Sequence, residues 1–163
     1  MLVQIGEVDM PSSLAVPAGH VLLLQARARG VQIYVCEARA DDPHICEWTF
    51  RAPEAELLNG RGERIGRHFA GPTWEANDGS QVAAVVRTTA DSPMADGIPW
   101  LLLQARANQG TGVFSTVTFV QRIDTRGGRA PADGCDQAHK GQELRVDYTA
   151  TYAFYYASAP STM

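Results

Sequence analysis

The sequence predicts a single all-β domain, an antiparallel β-sandwich or β-barrel of about eight to ten strands with very little helix. Two-residue alternation of apolar and polar side chains recurs through most of the 163 residues, the signature of strands buried on one face. Turn dipeptides punctuate it: Arg29-Gly30, Asn59-Gly60, Asp78-Gly79, Asp96-Gly97, Gln109-Gly110, Gly127-Gly128 and Asp133-Gly134,. A chain that is 45% hydrophobic and 20% charged, at this length, fits one globular core,.

Residues 1–15 read as an N-terminal extension, 16–157 as the domain and 158–163 as a C-terminal tail. Within the domain, residues 21–28 form the first strand, Arg29-Gly30 a turn, and residues 31–36 the next strand, with Val31, Ile33 and Val35 interleaved with Gln32, Tyr34 and Cys36. Residues 45–51 follow as a strand. Residues 52–58 are the one local helix candidate, a turn or two that Pro53 could start and Asn59-Gly60 would stop. Residues 64–70, 80–87 and 100–107 are further strands. Residues 113–123 alternate, with Val113, Val117 and Phe119 on one face and Phe114, Val120 and Arg122 on the other. The last strand carries an apolar stripe of Val146, Tyr148, Ala150, Tyr152, Phe154 and Tyr156, suited to a pleated, half-buried surface. Leu22-Leu23-Leu24-Gln25-Ala26-Arg27-Ala28 recurs as Leu101-Leu102-Leu103-Gln104-Ala105-Arg106-Ala107, and each copy reads as the first strand of a hairpin.

Charge and composition exclude several function classes. Fourteen basic and eighteen acidic residues, net −4, are spread without a cluster, so there is no electrostatic footprint for nucleic acid. Apolar runs such as Val21-Leu22-Leu23-Leu24 are far below the roughly 20 residues of a membrane-spanning helix,. The first 17 residues hold Glu7 and Asp9 and no Lys or Arg, unlike a secretory signal. Three cysteines, Cys36, Cys46 and Cys135, match no zinc spacing,. They allow one bridge, either Cys36–Cys135 or Cys36–Cys46, or three buried thiols.

Residues 66–80 hold the densest cluster of functional groups. His68 is a candidate general base, Glu75 and Asp78 candidate acids or ligands, and Trp74 an apolar wall for a bound ring. Ser80, His68 and Asp78 can be drawn as a hydrolytic triad, but no G-x-S-x-G elbow exposes a serine. His20, His44, His68 and His139 are too scattered to bring metal ligands together, so no metal is expected. Gly60, Gly62 and Gly66 miss the dinucleotide spacing and open no helix, and no cofactor is expected. Arg126 and Arg129 sit in a Gly-rich stretch where two arginines could grip a carboxylate or phosphate, but it reads rather as a loop tip whose arginines keep it soluble.

A further set of motifs follows in order: Val16-Pro17-Ala18-Gly19-His20, Gly30-Val31-Gln32-Ile33-Tyr34-Val35-Cys36, Trp48-Thr49-Phe50-Arg51-Ala52-Pro53-Glu54-Ala55, His68-Phe69-Ala70-Gly71-Pro72-Thr73-Trp74-Glu75 with Asp78-Gly79-Ser80, Pro99-Trp100-Leu101-Leu102, Gln121-Arg122-Ile123-Asp124-Thr125-Arg126-Gly127-Gly128, and Tyr148-Thr149-Ala150-Thr151-Tyr152. Across residues 16–156 this order resembles the bacterial and fungal family known as domain of unknown function 3455. The resemblance implies a β-rich fold, a Cys36–Cys135 pairing, and secretion or export to the periplasm; a native N-terminus as given would instead imply a cytoplasmic protein. It brings no activity. His68, Trp74, Glu75 and Arg122 are family-motif residues, either site or scaffold.

Three functions are compatible with this reading. The first is binding of a small molecule in a cavity or cleft, with His68, Trp74, Glu75, Asp78 and Arg122 as ligand contacts. The second is a cofactor-independent isomerase, cyclase or lyase using the same cavity, with His68, Glu75 and Arg122 as first catalytic candidates. The third is a secreted surface protein that binds a partner or polysaccharide through the aromatic segment from Tyr152 to Tyr156.

Overall fold

A computed structural model describes residues 10–158, and in it the alternation resolves into eight strands of one closed barrel. They are β1 (His20–Ala38), β2 (Cys46–Leu58), β3 (Arg64–Phe69), β4 (Thr73–Ala76), β5 (Gln81–Ala90), β6 (Trp100–Gln109), β7 (Val117–Gly127) and β8 (Glu143–Ala157). Each strand pairs antiparallel with its neighbours in sequence, and β8 returns to β1 from His20↔Ala157 to Val35↔Glu143. Of the two expected architectures, the barrel is the one formed. Residues 1–9 of the N-terminal extension and 159–163 of the C-terminal tail lie outside the described residues.

Two local expectations are corrected. Arg29-Gly30 is no turn: β1 runs through it without a break, so the first copy of the repeat reverses not at Gly30 but only beyond Ala38, where β1 turns back as β2, whereas the second copy lies in β6, which pairs with β7. Gly30 faces Ala55 across the β1–β2 ladder, and a Cβ there would overlap the Glu54 carbonyl oxygen. Glycine thus serves a close approach of two strands, not a reversal. Residues 52–58 form no helix but continue β2. Pro53 and Leu57 are buried and Ala55 half-buried, while Glu54 and Glu56 are exposed, a period of two that outweighs the helix-start signal of Pro53.

The interior is built from contrasting sizes. Ala26, Ala28, Ala76, Ala84 and Ala150 are all buried there, and this leaves room for Trp74, Phe114, Tyr152 and Phe154, all at most 1% exposed,. Phe114 and Phe154 stack at 4.5 Å and, with Val82, Val117 and Leu57, close one end of the barrel. On the outer face of β6 and β7, Trp100, Leu102, Phe119 and Ile123 form a second cluster with Leu14. Leu14 belongs to a short 3-10 turn, Ser12–Leu14, that crosses this face. Gln121 Nε2 donates to the Leu14 carbonyl at 2.8 Å and Thr88 Oγ1 to that of Ser13 at 2.6 Å.

A disulfide joins Cys36, near the end of β1, to Cys135 in the β7–β8 connection, and Cys46 is free. The same connection is held by backbone bonds from Cys36 N–H to the Gln142 carbonyl (2.9 Å) and from Gly141 N–H to the Cys36 carbonyl (2.7 Å).

Candidate functional site

The end of the barrel away from the Phe114–Phe154 stack holds a cavity of about 500 Å³, inside the ~300–1,000 Å³ range of small-molecule sites. Its floor is aromatic. His68 stacks on Trp74 with ring centres 4.5 Å apart, and Tyr152 packs at 4.9 Å from His68 and 5.3 Å from Trp74. The walls come from alternate residues of several strands: Gln32 and Tyr34 of β1, Pro53 of β2, Leu101 and Leu103 of β6, and Arg122 of β7. Phe50 and Val86, 48% and 46% exposed, also line it.

Connections between strands shape the mouth. Gly97 bridges to Gly128, Arg129 Nε donates to the Gly97 carbonyl at 2.8 Å, and Trp48 Nε1 donates to the Asp133 carbonyl at 2.9 Å. With the disulfide, these ties fix the β5–β6 and β7–β8 connections to each other and to β1 and β2. Tyr34 adds a hydroxyl bond to the Gly128 carbonyl.

His68 is a neutral imidazole. Burial drives its pKa down to about 3; the bond to the Thr73 carbonyl pulls the other way, and the positive Arg122 pushes it further down. Nδ1 donates to that carbonyl at 2.8 Å, which leaves Nε2 as the acceptor nitrogen. Burial also raises the Tyr34 and Tyr148 phenols above the ordinary tyrosine range, so both stay protonated. The Tyr148 and Tyr152 hydroxyls lie 3.2 Å apart. Gln32 Oε1, Trp74 Nε1 and Trp100 Nε1 are buried without a hydrogen-bond partner among the described residues.

Arg122 is the charged group of the interior. Its Nε donates to the Pro99 carbonyl at 3.0 Å, and no carboxylate pairs with it among the described residues. Arg51, the other arginine of the lining, is bound to Glu37 at 3.0 Å.

Of the five residues singled out by sequence, the fold brings His68, Trp74 and Arg122 together. Glu75 follows Trp74 on the short strand β4 and points away, to Arg67 Nε at 2.6 Å and Gln81 Nε2 at 2.8 Å. Those bonds, Gln81 first, hold its carboxyl below the usual range. Asp78 occupies the β4–β5 turn at the filled end, where it accepts from Ser80 Oγ (2.6 Å), Ser80 N–H (2.9 Å) and Val113 N–H (2.9 Å). The Ser80 hydroxyl, then the two backbone donors, lower its pKa, and the role is to tie two turns. Ser80 and His68 therefore share no hydrogen bond. Gln32 and Tyr34 join the lining without having been singled out as site residues, and Tyr152, read from sequence only as part of an aromatic surface segment, joins them. Their signal was alternation: in a strand, Gln32 and Tyr34 must share a face, and Tyr152 lies in the interior stripe of β8. Among the described residues no three His, Cys, Asp or Glu side chains are grouped to hold a metal ion.

Fold and site together define a single-domain, up-and-down β-barrel with one packed end and one aromatic-floored cavity. The chain belongs to the family described as Protein of unknown function (DUF3455), whose model matches residues 17–156. Comparison with curated proteins and with solved structures gives no match.

Proposed function

We propose that this protein binds a small, mostly apolar molecule in the cavity of its barrel. The observation that carries the reading is the cavity itself, about 500 Å³ with a floor of His68, Trp74 and Tyr152 and largely apolar walls,. Leu101, Leu103, Pro53 and Phe50 supply apolar contact, and the disulfide and mouth bonds hold the walls in place before binding, which lowers the ordering cost of association.

Native mass spectrometry of gently purified full-length protein tests this. The expected result is a retained small molecule that is lost from Leu101→Trp, a variant that fills the cavity. Protein at its own mass, with no uptake of an apolar fluorescent dye by the wild type, refutes it.

Catalysis on the same site, as an isomerase, cyclase or lyase, draws on His68 with its free Nε2. A pKa of about 3 leaves only about one imidazole in ten thousand protonated at pH 7. That is far from the match to working pH that favours proton transfer. His68 is better suited to accept a hydrogen bond than to shuttle a proton, so binding ranks first. Binding of a polysaccharide through the aromatic segment has less support, since Tyr152 and Phe154 are buried.

A further inference from the structure

We infer that the cavity ligand is an organic anion, a monocarboxylate with a flat or extended apolar body, and that Arg122 is its counter-ion. This rests on the binding role proposed above and names the chemical class. The cavity lining contains two arginines and no Asp or Glu. Arg51 already has Glu37 as its partner. Arg122 uses Nε on the Pro99 carbonyl, which leaves the two terminal nitrogens of its guanidinium without a carboxylate among the described residues. A guanidinium presents its donors as a planar fork that fits a carboxylate, and such charge-assisted pairs are stronger than neutral hydrogen bonds.

The surroundings make the missing charge costly. Around Arg122 stand the apolar side chain of Leu101, the imidazole of His68 and the side chain of Tyr152, none of which brings a carboxylate. A cation flanked by apolar side chains gains most from an anion brought to it. The protein as a whole carries −4, so the positive charge of the cavity lining runs against the general charge.

One unpaired guanidinium suits one negative charge. The lining adds no lysine and no second free arginine, so a doubly charged phosphate monoester would be left half-neutralised. For the rest of the ligand, Phe50, Val86, Leu101, Leu103 and the Trp74 ring form an apolar sleeve from mouth to floor.

The test uses two matched pairs on the full chain with its disulfide intact: 2-naphthoic acid against 2-naphthamide, and decanoic acid against decanamide, titrated by calorimetry and tryptophan fluorescence at pH 7. Each pair keeps its shape and differs by the charge. In the wild type the acid should bind about tenfold or more tighter than its amide. Arg122→Gln should bring the acid down to the amide and leave the amide unchanged, while Arg122→Lys should keep part of the preference. Circular dichroism checks that each variant folds, and the wild-type ratio decides the matter if Arg122→Gln does not. Equal binding of acid and amide overturns the anion while the cavity role stands, and so does a preference that survives Arg122→Gln. Binding of neither pair overturns both.

Discussion

Replacing Cys36 and Cys135 together by serine removes a cross-link between residues 99 apart in sequence. In the chain-entropy description, opening a loop of that length returns about 16 cal/mol/K to the unfolded chain (2.1 + 1.5R ln 99), or about 4.7 kcal/mol at 25 °C. Little of this should be offset in the native state, because the mouth keeps its other ties: Cys36 N–H to the Gln142 carbonyl, Gly141 N–H to the Cys36 carbonyl, and Trp48 Nε1 to the Asp133 carbonyl. For a domain of this size each kcal/mol moves the melting midpoint by about 2–4 °C, so the double variant should melt about 9–19 °C lower. Urea unfolding followed by tryptophan fluorescence measures the loss directly, and the slope against urea should steepen as the unfolded chain expands. Wild-type protein under reductant should match the variant. A loss below about 1 kcal/mol with an unchanged slope would refute the reasoning, since loop closure at this separation would then contribute almost nothing.

The remaining predictions concern His68, Gly30 and the two carboxylates outside the cavity. His68 is held at about 3 in the folded protein, below an unfolded value of about 6.5, so the unfolded chain takes up a proton that the native state refuses. Its contribution to stability is complete above pH 6.5 and is lost as pH falls toward 3. Between pH 6 and 4.5 the wild type should lose about 1.4 kcal/mol per pH unit more than His68→Phe; equal slopes in denaturant titrations would show that His68 is not buried and neutral. Gly30→Val sets a side chain against the Glu54 carbonyl and should cost at least about 1–3 kcal/mol, read as a lower urea midpoint; an unchanged midpoint would show the strands free to part. Asp78→Ala removes three accepted bonds at the filled end and should lower the melting midpoint without changing ligand uptake. Glu75→Gln should leave uptake unchanged as well, and reduced uptake in either variant would place that carboxylate at the site.

Strands with strict alternation were legible. The β8 stripe of Tyr148, Ala150, Tyr152 and Phe154 faces the interior as read. Sequence could not separate barrel from sandwich, because both bury one face of every strand. It also misassigned Gly30 and residues 52–58, where single-residue signals, a glycine and a proline, competed with a short alternation of Pro53, Ala55 and Leu57 against Glu54 and Glu56. In β1 the inner face turned out to carry Gln32, Tyr34 and Cys36, all buried. A polar residue aimed inward looks like an outward one until the barrel closes around it. The site was half legible for a related reason. Trp74 and Glu75 are adjacent, and once β4 is known to be a strand they must face opposite sides. The pairing of Cys36 with Cys135 lay outside what spacing alone could decide, and followed only from the motif order.

Because each strand leans on the next and β8 lies against β1, the wall has no seam only when residue 157 has met residue 20. During synthesis every shorter length of chain is a curling sheet with two bare rims, each offering unpaired amides to any passing strand. The last fifteen-residue strand to emerge must travel to the first one made, and the lone thiol of Cys36 waits nearly as long for its mate. A nascent barrel of this kind therefore spends its whole assembly open, and its exposure to mispairing ends in one late event, when the two ends of the ribbon zip together.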